Sequence, residues 1–188
     1  QPIEQLAGLR AIPNLNVFRP ADINETLECW QVALKSKNTP SAIALSRQKL
    51  PYINPSHTKE NKSELGAYIV SATSQNNMVT LVASGSEVEL ALQAQKELKE
   101  VNIDSKVVSM PCQELFNQQS TSYKNEIINE DVPTITIEAS SVSSWEKYSK
   151  NNMGIKTFGE SAPFKEVYKH FNLTSAKIVE LTKKLIKK

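Results

Sequence analysis

The sequence predicts an α/β protein: a partial βαβ segment, then a three-layer α/β domain whose sheet is mostly parallel with one antiparallel edge strand. Three observations carry this. Short apolar runs alternate with helical periodicity along 188 residues, the pattern of layered α/β folds. A polar, proline-bearing stretch from Gln48 to Gly66 divides that pattern in two. Ahead of it, strand, helix and strand follow at a length that implies a parallel pair with a right-handed crossover.

In the first part, NVFR (16–19) reads as a strand broken by Pro20-Ala21. Asp22 can cap a helix, and Glu25 three positions on completes a capping-box-like pair. Ile23, Leu27, Trp30 and Leu34 recur at helical spacing and give that helix one apolar face. SAIAL (41–45) is the next strand. The divider is read as an interdomain connection. It sets the domain boundaries at 1–55, a connection at 56–65, and 66–188.

In the second part, AYIVSA (67–72) and VTLVAS (79–84) are strand-like and separated by a polar turn, so they are expected to form an antiparallel pair. Ser86 and Glu89 have capping-box spacing for a helix running to about Glu100, with Val88, Ala91, Leu92 and Leu98 inward. SKVVSM (105–110) and TITIEA (134–139) are further strands, with short helices around Glu114 and Tyr123 between them. IKTFG (155–159) is expected as a last short strand. Phe164, Val167, Tyr168 and Phe171 share a helix face. Leu173 and Ile178 flank Thr174 at staple spacing and open the final helix.

Composition narrows the function classes. Twenty-two basic and 20 acidic residues give a net charge of +2, which does not favour a nucleic-acid footprint. No stretch approaches the ~20 apolar residues of a membrane span, and QPIEQLAGLR has neither part of a signal peptide. A cytoplasmic setting is expected. The first residue is not Met, so the chain is expected to belong to a longer polypeptide. With 39% apolar residues, a chain of this size can bury roughly 70% of its unfolded surface. Cys29 and Cys112 form no CxxC, so buried free thiols are expected rather than a zinc site or redox pair.

Arg47 stands out chemically. It follows a strand of a parallel pair, and ligands of open α/β sheets bind beyond the carboxyl ends of the strands. A guanidinium matches phosphate bidentately. A surface arginine paired with a carboxylate is the plainer alternative. SGSEVE (84–89) offers a helix N-terminus, but one glycine is far short of a phosphate loop. GESAP (159–163) lacks the second glycine of a nucleophile elbow, since Pro163 holds that position. Pro163 is expected in the first turn of a helix, with Ser161 near its cap. His57 and His170 have no metal-spaced companions. Trp145 and Tyr148 read as core or interface anchors.

QPIEQLAGLRAIPNLNVFRPADINET, TPSAIALSRQKLP, ASGSEVELA, VVSMPC and TFGESAPF, in that order, resemble the C-terminal part of transketolases over essentially the whole chain. Dehydrogenase E1 subunits and 1-deoxyxylulose 5-phosphate synthase share the architecture but match less well around SRQKLP and TFGESAPF. The resemblance implies a homodimeric enzyme, with no nucleic-acid or membrane partner. It would use thiamine diphosphate and a divalent metal (Mg or Ca) to move a two-carbon ketol unit between sugar phosphates. It implies that residues 1–55 end the pyrimidine-binding domain, that 66–188 form the C-terminal domain, and that Arg47 binds the sugar phosphate. Catalytic, cofactor and metal residues are implied to lie ahead of Gln1. None is assigned here, and the 188-residue chain alone is expected to be inactive, with no cofactor bound. A non-catalytic dimerisation or regulatory domain, and part of another thiamine diphosphate enzyme, are the alternatives. The first part, standing as an incomplete domain, is expected to leave Leu6, Leu9, Ile12 and Leu15 uncovered.

Overall fold

The computed structural model describes residues 1–53 and 60–187. His57 and the expected boundary at 55/56 lie outside the described residues. The first part begins with α1 (Gln5–Arg10), β1 (Asn16–Phe18), α2 (Ile23–Lys35) and β2 (Ser41–Ile43). β1 and β2 pair in parallel, with Val17 opposite Ala42. Asp22 caps α2 by accepting from the Glu25 N–H at 2.8 Å. The Glu25 carboxylate accepts from the Ala21 N–H at 2.7 Å, so the expected capping pair is present one residue out of its usual register. β2 is only half-buried.

A 3₁₀ turn, Lys62–Leu65, ends on Gly66 and leads into the second part. Its elements are β3 (Tyr68–Ala72), β4 (Val79–Ala83), α3 (Glu87–Glu100), β5 (Ser105–Ser109), α4 (Gln113–Asn117), α5 (Thr121–Ile127), β6 (Thr134–Ile137), β7 (Asn151–Met153), α6 (Phe164–His170) and α7 (Ser175–Ile186). The five strands lie in the order β3-β5-β4-β6-β7, all parallel except β3, which runs antiparallel to β5. Period-2 alternation then builds three layers. Leu81, Val107, Ile135 and Ile137 face Val88, Leu98 and Ile178. On the other side Val82, Val108 and Met110 meet Phe116, Ile127 and Trp145.

Four expectations need correction. β3 does not pair with β4. All five residues of β4 are buried, so it takes the centre, while half-buried β3 forms the edge beside β5. IKTFG is not a strand; the last strand is Asn151–Met153, whose two asparagines hide it from a propensity reading. Ser86 makes no side-chain cap, because its hydroxyl is spent on Glu87 and Tyr168. Pro163 is the residue that precedes α6 rather than part of its first turn.

Gly66 shows how the join between the two parts is built. Its φ of +78° is in the left-handed region, and a Cβ there would stand 2.2 Å from the Phe116 nitrogen and 2.5 Å from the Cys112 carbonyl oxygen. The Gly66 carbonyl also accepts from Cys112 N–H at 3.0 Å. Gly66→Ala is expected to cost at least ~2 kcal/mol, from left-handed strain plus a clash with backbone that has no rotamer to yield. At roughly 2–4 °C per kcal/mol for a chain of this size, calorimetry reads this as a lower melting midpoint. An unchanged midpoint would show that the turn can re-form without its glycine.

Candidate anion site and the seam that carries it

Arg47 lies beyond the carboxyl end of β2 in an extended stretch whose exposure alternates. Leu45, Arg47 and Lys49 are exposed, while Ser46, Gln48 and Leu50 are partly covered. The guanidinium has no hydrogen bond or ion pair among the described residues, so the plainer reading, pairing with a nearby carboxylate, is not realised there. Two residues on, at Lys49, the same stretch enters a cavity of about 680 Å³ that Lys49 to Pro51 line with Leu90 of α3 and Phe164 and Tyr168 of α6. Arg47 is not among its lining residues.

The position of this arginine depends on β1 and β2, and these depend on the second part. The outer edge of β1 is closed by residues 111–114. Phe18 bridges to Cys112. The Arg19 N–H donates to the Pro111 carbonyl at 2.8 Å, and the Val17 N–H donates to the Glu114 carboxylate at 3.1 Å. The chain start is held similarly. The Gly159 N–H donates to the Gln1 carbonyl at 2.6 Å, and the Ser141 N–H to the Ile3 carbonyl at 2.9 Å. TFGESAPF is therefore a backbone clamp on the first residues rather than a strand.

Two arginines cross this seam to two carboxylates at the carboxyl ends of the central strands. Arg10 donates to both oxygens of Glu138 at 2.8 Å, with side chains 3% and 1% exposed. Glu138 also accepts from Ser84 Oγ at 2.5 Å, Ser140 Oγ at 2.6 Å and Trp145 Nε1 at 2.8 Å. Burial alone would raise its carboxyl, but Arg10, Arg19 and the Ser140 hydroxyl outweigh that and hold it at about 2. Arg19 pairs with Glu87, which Tyr168 also donates to. Burial works against the Arg19 charge, yet Glu87 and Glu138 keep it firmly protonated, above its ordinary value. The guanidinium also bonds the Ser84 carbonyl at 2.5 Å and lies against Gly85, where a Cβ would meet it at 2.7 Å. The SGSEVE turn is thus filled by the protein's own arginine.

A third seam contact has no cation. Glu25 is 3% exposed and accepts from Tyr68 Oη at 2.7 Å and Ser109 Oγ at 2.5 Å. Burial pushes it up to about 7, although those hydroxyls and the Ala21 N–H pull it back. Cys29 and Cys112 lie beside it, both free and buried. Burial raises both thiols, Cys112 to about 12, which makes them unreactive. Trp145 is a buried core anchor, as expected. His170 stacks edge-on to Phe171 at 4.8 Å. Among the described residues no group of three or more His, Cys, Asp or Glu could hold a metal ion. No described helix is long and apolar enough to cross a membrane.

Sequence reasoning singled out Arg47, read Glu25 only as part of a helix cap, and missed Arg10, Arg19, Glu87 and Glu138. A signal existed for two of the four missed. Glu138 closes the β-branched TITI run, and Arg19 closes NVF at its edge. A charge at the carboxyl end of a buried strand needs a partner or a ligand, but sequence spacing does not name which.

A βαβ unit bolted by buried ion pairs onto a mostly parallel five-stranded sheet defines a multi-unit α/β protein, with its polar groups gathered at the carboxyl ends of the strands. Residues 66–174 match the model of the transketolase-like C-terminal domain, and residues 1–53 match that of the transketolase pyrimidine-binding domain. The chain belongs to the transketolase family. It is 45% identical to a transketolase of Sinorhizobium medicae, aligning over its whole length and over 28% of that relative. Transketolase from Leishmania mexicana superposes with a TM-score of 0.91 at 40% identity, covering all of this chain and 27% of that one. A Pichia stipitis transketolase solved in complex with sedoheptulose 7-phosphate gives 0.92 at 38% identity, with the same coverage. The chain therefore spans little more than a quarter of the relatives it matches.

Proposed function

We propose that this chain is the C-terminal part of a transketolase and that Arg47 binds the phosphate of its sugar substrates. The observation that carries the reading is an exposed guanidinium, without a partner among the described residues, beyond the carboxyl end of a parallel strand in a chain matched end to end by transketolases. The Pichia stipitis relative was solved with a sugar phosphate, the ligand class a guanidinium recognises best. Residues 1–55 are the end of the pyrimidine-binding domain, 56–65 the connection, and 66–188 the C-terminal domain. Matched model boundaries at 53 and 66 support that division.

The complete polypeptide, a cytoplasmic homodimer, transfers a two-carbon ketol unit between sugar phosphates. Thiamine diphosphate with a divalent metal supplies the electron sink for that chemistry when bound. The described residues offer no metal-binding cluster, so no step through the cofactor is assigned to this chain. Its own contribution is to bind and orient. Arg47 takes the phosphate, and the seam fixes the strand pair from which Arg47 projects.

The test is ketol transfer from xylulose 5-phosphate to ribose 5-phosphate by the longer polypeptide containing these residues, with added cofactor and magnesium. Arg47→Ala is expected to raise KM for phosphorylated sugars roughly ten- to a hundredfold, the ~1.5–3 kcal/mol of a charge-assisted hydrogen bond. Unphosphorylated donors should be spared. Equal losses on both would remove the phosphate role, and no transfer by a folded, cofactor-loaded protein would remove the transketolase reading itself.

A further inference from the structure

The cavity of about 680 Å³ beyond Arg47 is walled by both parts of the chain. Leu50 and Pro51 come from the first part. Leu90 comes from α3, Phe164 and Tyr168 from α6, and Leu173 from the stretch before α7. Polar bonds hold these walls in place. Tyr168 Oη donates to Glu87 and lies 3.1 Å from Ser86 Oγ, and Phe164 meets the Tyr168 ring edge-on at 5.9 Å. Ser175 Oγ donates to Glu97 at 2.6 Å and anchors the start of α7 on α3. The Ile53 N–H donates to the Asp22 carboxylate at 3.0 Å and fixes the segment just past Pro51. Collapsing the cavity would break these bonds, so its shape is built in, as in most ligand sites.

The charge around it is unmatched. Lys49 and Lys165 line the cavity, and neither ammonium has a hydrogen bond or ion pair among the described residues. Lys165 lies over the Phe164 ring at 6.0 Å. The one carboxylate among the lining residues is Glu89, and it pairs with neither lysine.

We propose that this cavity binds a small organic anion that carries an apolar ring. Its volume lies in the range of small-molecule sites, roughly 300–1,000 Å³. The apolar walls and the Phe164 ring suit the ring of the ligand, and the two ammonium groups suit its acidic group. Thr174 and Ser175 at the start of α7 also line the cavity, so the positive end of that helix adds to the attraction. An inorganic anion would leave the apolar walls wet, and a neutral ligand would leave both lysines without a partner. The site is separate from Arg47 and does not rest on the role proposed for it.

Two dyes test this on the longer polypeptide, with thiamine diphosphate and magnesium added, and on the 188-residue chain. Anilinonaphthalene sulfonate carries rings and a charge; phenylnaphthylamine carries the same rings without the charge. Fluorescence titration should show the sulfonate binding about tenfold more tightly than the amine. Lys49→Ala and Lys165→Ala should each weaken the sulfonate roughly three- to tenfold and leave the amine unchanged. Glu89→Gln should tighten the sulfonate, and Phe164→Ala should weaken both dyes. All four positions are exposed, so the variants should keep the wild-type circular dichroism spectrum.

Other apolar surface is open to the same dyes. Ile23, Leu27 and Trp30, the apolar face of α2, are each 51% exposed and Leu34 is 79% exposed. Ile12 is exposed, whereas Leu6, Leu9 and Leu15, expected to be uncovered with it, are partly buried. Leu27→Ser and Ile12→Ser should leave the lysine-dependent binding unchanged. Sulfonate binding that follows Leu27 or Ile12 and ignores both lysines would overturn the proposal. So would binding to the 188-residue chain that the longer polypeptide lacks, because other residues would then fill the cavity. Displacement of the sulfonate by xylulose 5-phosphate would merge the cavity with the Arg47 site and also overturn it.

Discussion

Glu138→Ala is expected to lower the melting midpoint by about 6–20 °C. Glu138 receives two guanidinium N–H groups from Arg10, two serine hydroxyls and the Trp145 indole N–H. Removing it leaves Arg10, 3% exposed, as a buried charge without a counter-ion. Breaking a buried pair from one side costs about 3–5 kcal/mol, which at roughly 2–4 °C per kcal/mol gives the stated range. The cost comes from the stranded cation rather than from net attraction in the pair, so a second variant separates the two. Arg10→Met with Glu138→Leu should recover much of the loss, as apolar replacement of a buried pair often does. A double variant as unstable as the single one would instead place the energy in the Ser84, Ser140 and Trp145 bonds.

The same carboxyl sets an acid limit. Its folded value of about 2 lies below the ordinary 4.5. Its stabilisation is therefore complete above 4.5 and fades as pH falls toward 2. Glu138→Ala should flatten the wild-type loss of stability in that window.

What the sequence disclosed follows from what its signals measure. Helical spacing located α2 and its stripe correctly, but a stripe reports amphipathicity and not what covers it. The buried side of α2 carries Glu25, Glu28 and Cys29, residues that satisfy partners from the other part of the chain. The three-layer domain was legible because β4, β5 and β6 are short runs rich in β-branched residues between helical stretches, and all three are buried. Strand order was not, since adjacency in sequence favoured a β3–β4 pair while burial placed β4 centrally. Arg47 was singled out by its position beyond the carboxyl end of a parallel strand. Arg10 and Arg19 were not, because their partners lie 128 and 68 residues away, and no local pattern encodes a contact at that range.

Between pH 4.5 and 7 the seam is expected to lose about 3 kcal/mol through Glu25 alone. The groups around it explain the direction. Asp22 and Glu28 on its own helix are acidic, Tyr68 and Ser109 offer only hydroxyls, and Cys29 and Cys112 are thiols held neutral by burial. Lys62 sits over the Tyr68 ring at 5.6 Å, and Glu25 has no ion pair among the described residues. With no cation to offset desolvation, the folded value rises from 4.5 to about 7. A raised carboxyl favours the protonated fold, so its contribution is full below 4.5 and is lost as pH climbs through 7, at about 1.4 kcal/mol per unit. Glu25→Gln should abolish this slope. Its amide oxygen still accepts from the Ala21 N–H, and the Tyr68 and Ser109 hydroxyls can turn to accept from its NH₂. Denaturant unfolding at pH 5 and pH 8 reads the effect. Wild type should be the less stable of the two proteins at pH 8, and a glutamine variant that kept the wild-type slope would mean that another group titrates. Because Glu25 joins α2 to β3 and β5, while Glu138 joins α1 to β6, the two carboxylates load opposite ends of one seam with opposite pH dependence. The first part is therefore held hardest near pH 4.5, above which the Glu25 contribution falls and below which the Glu138 contribution falls.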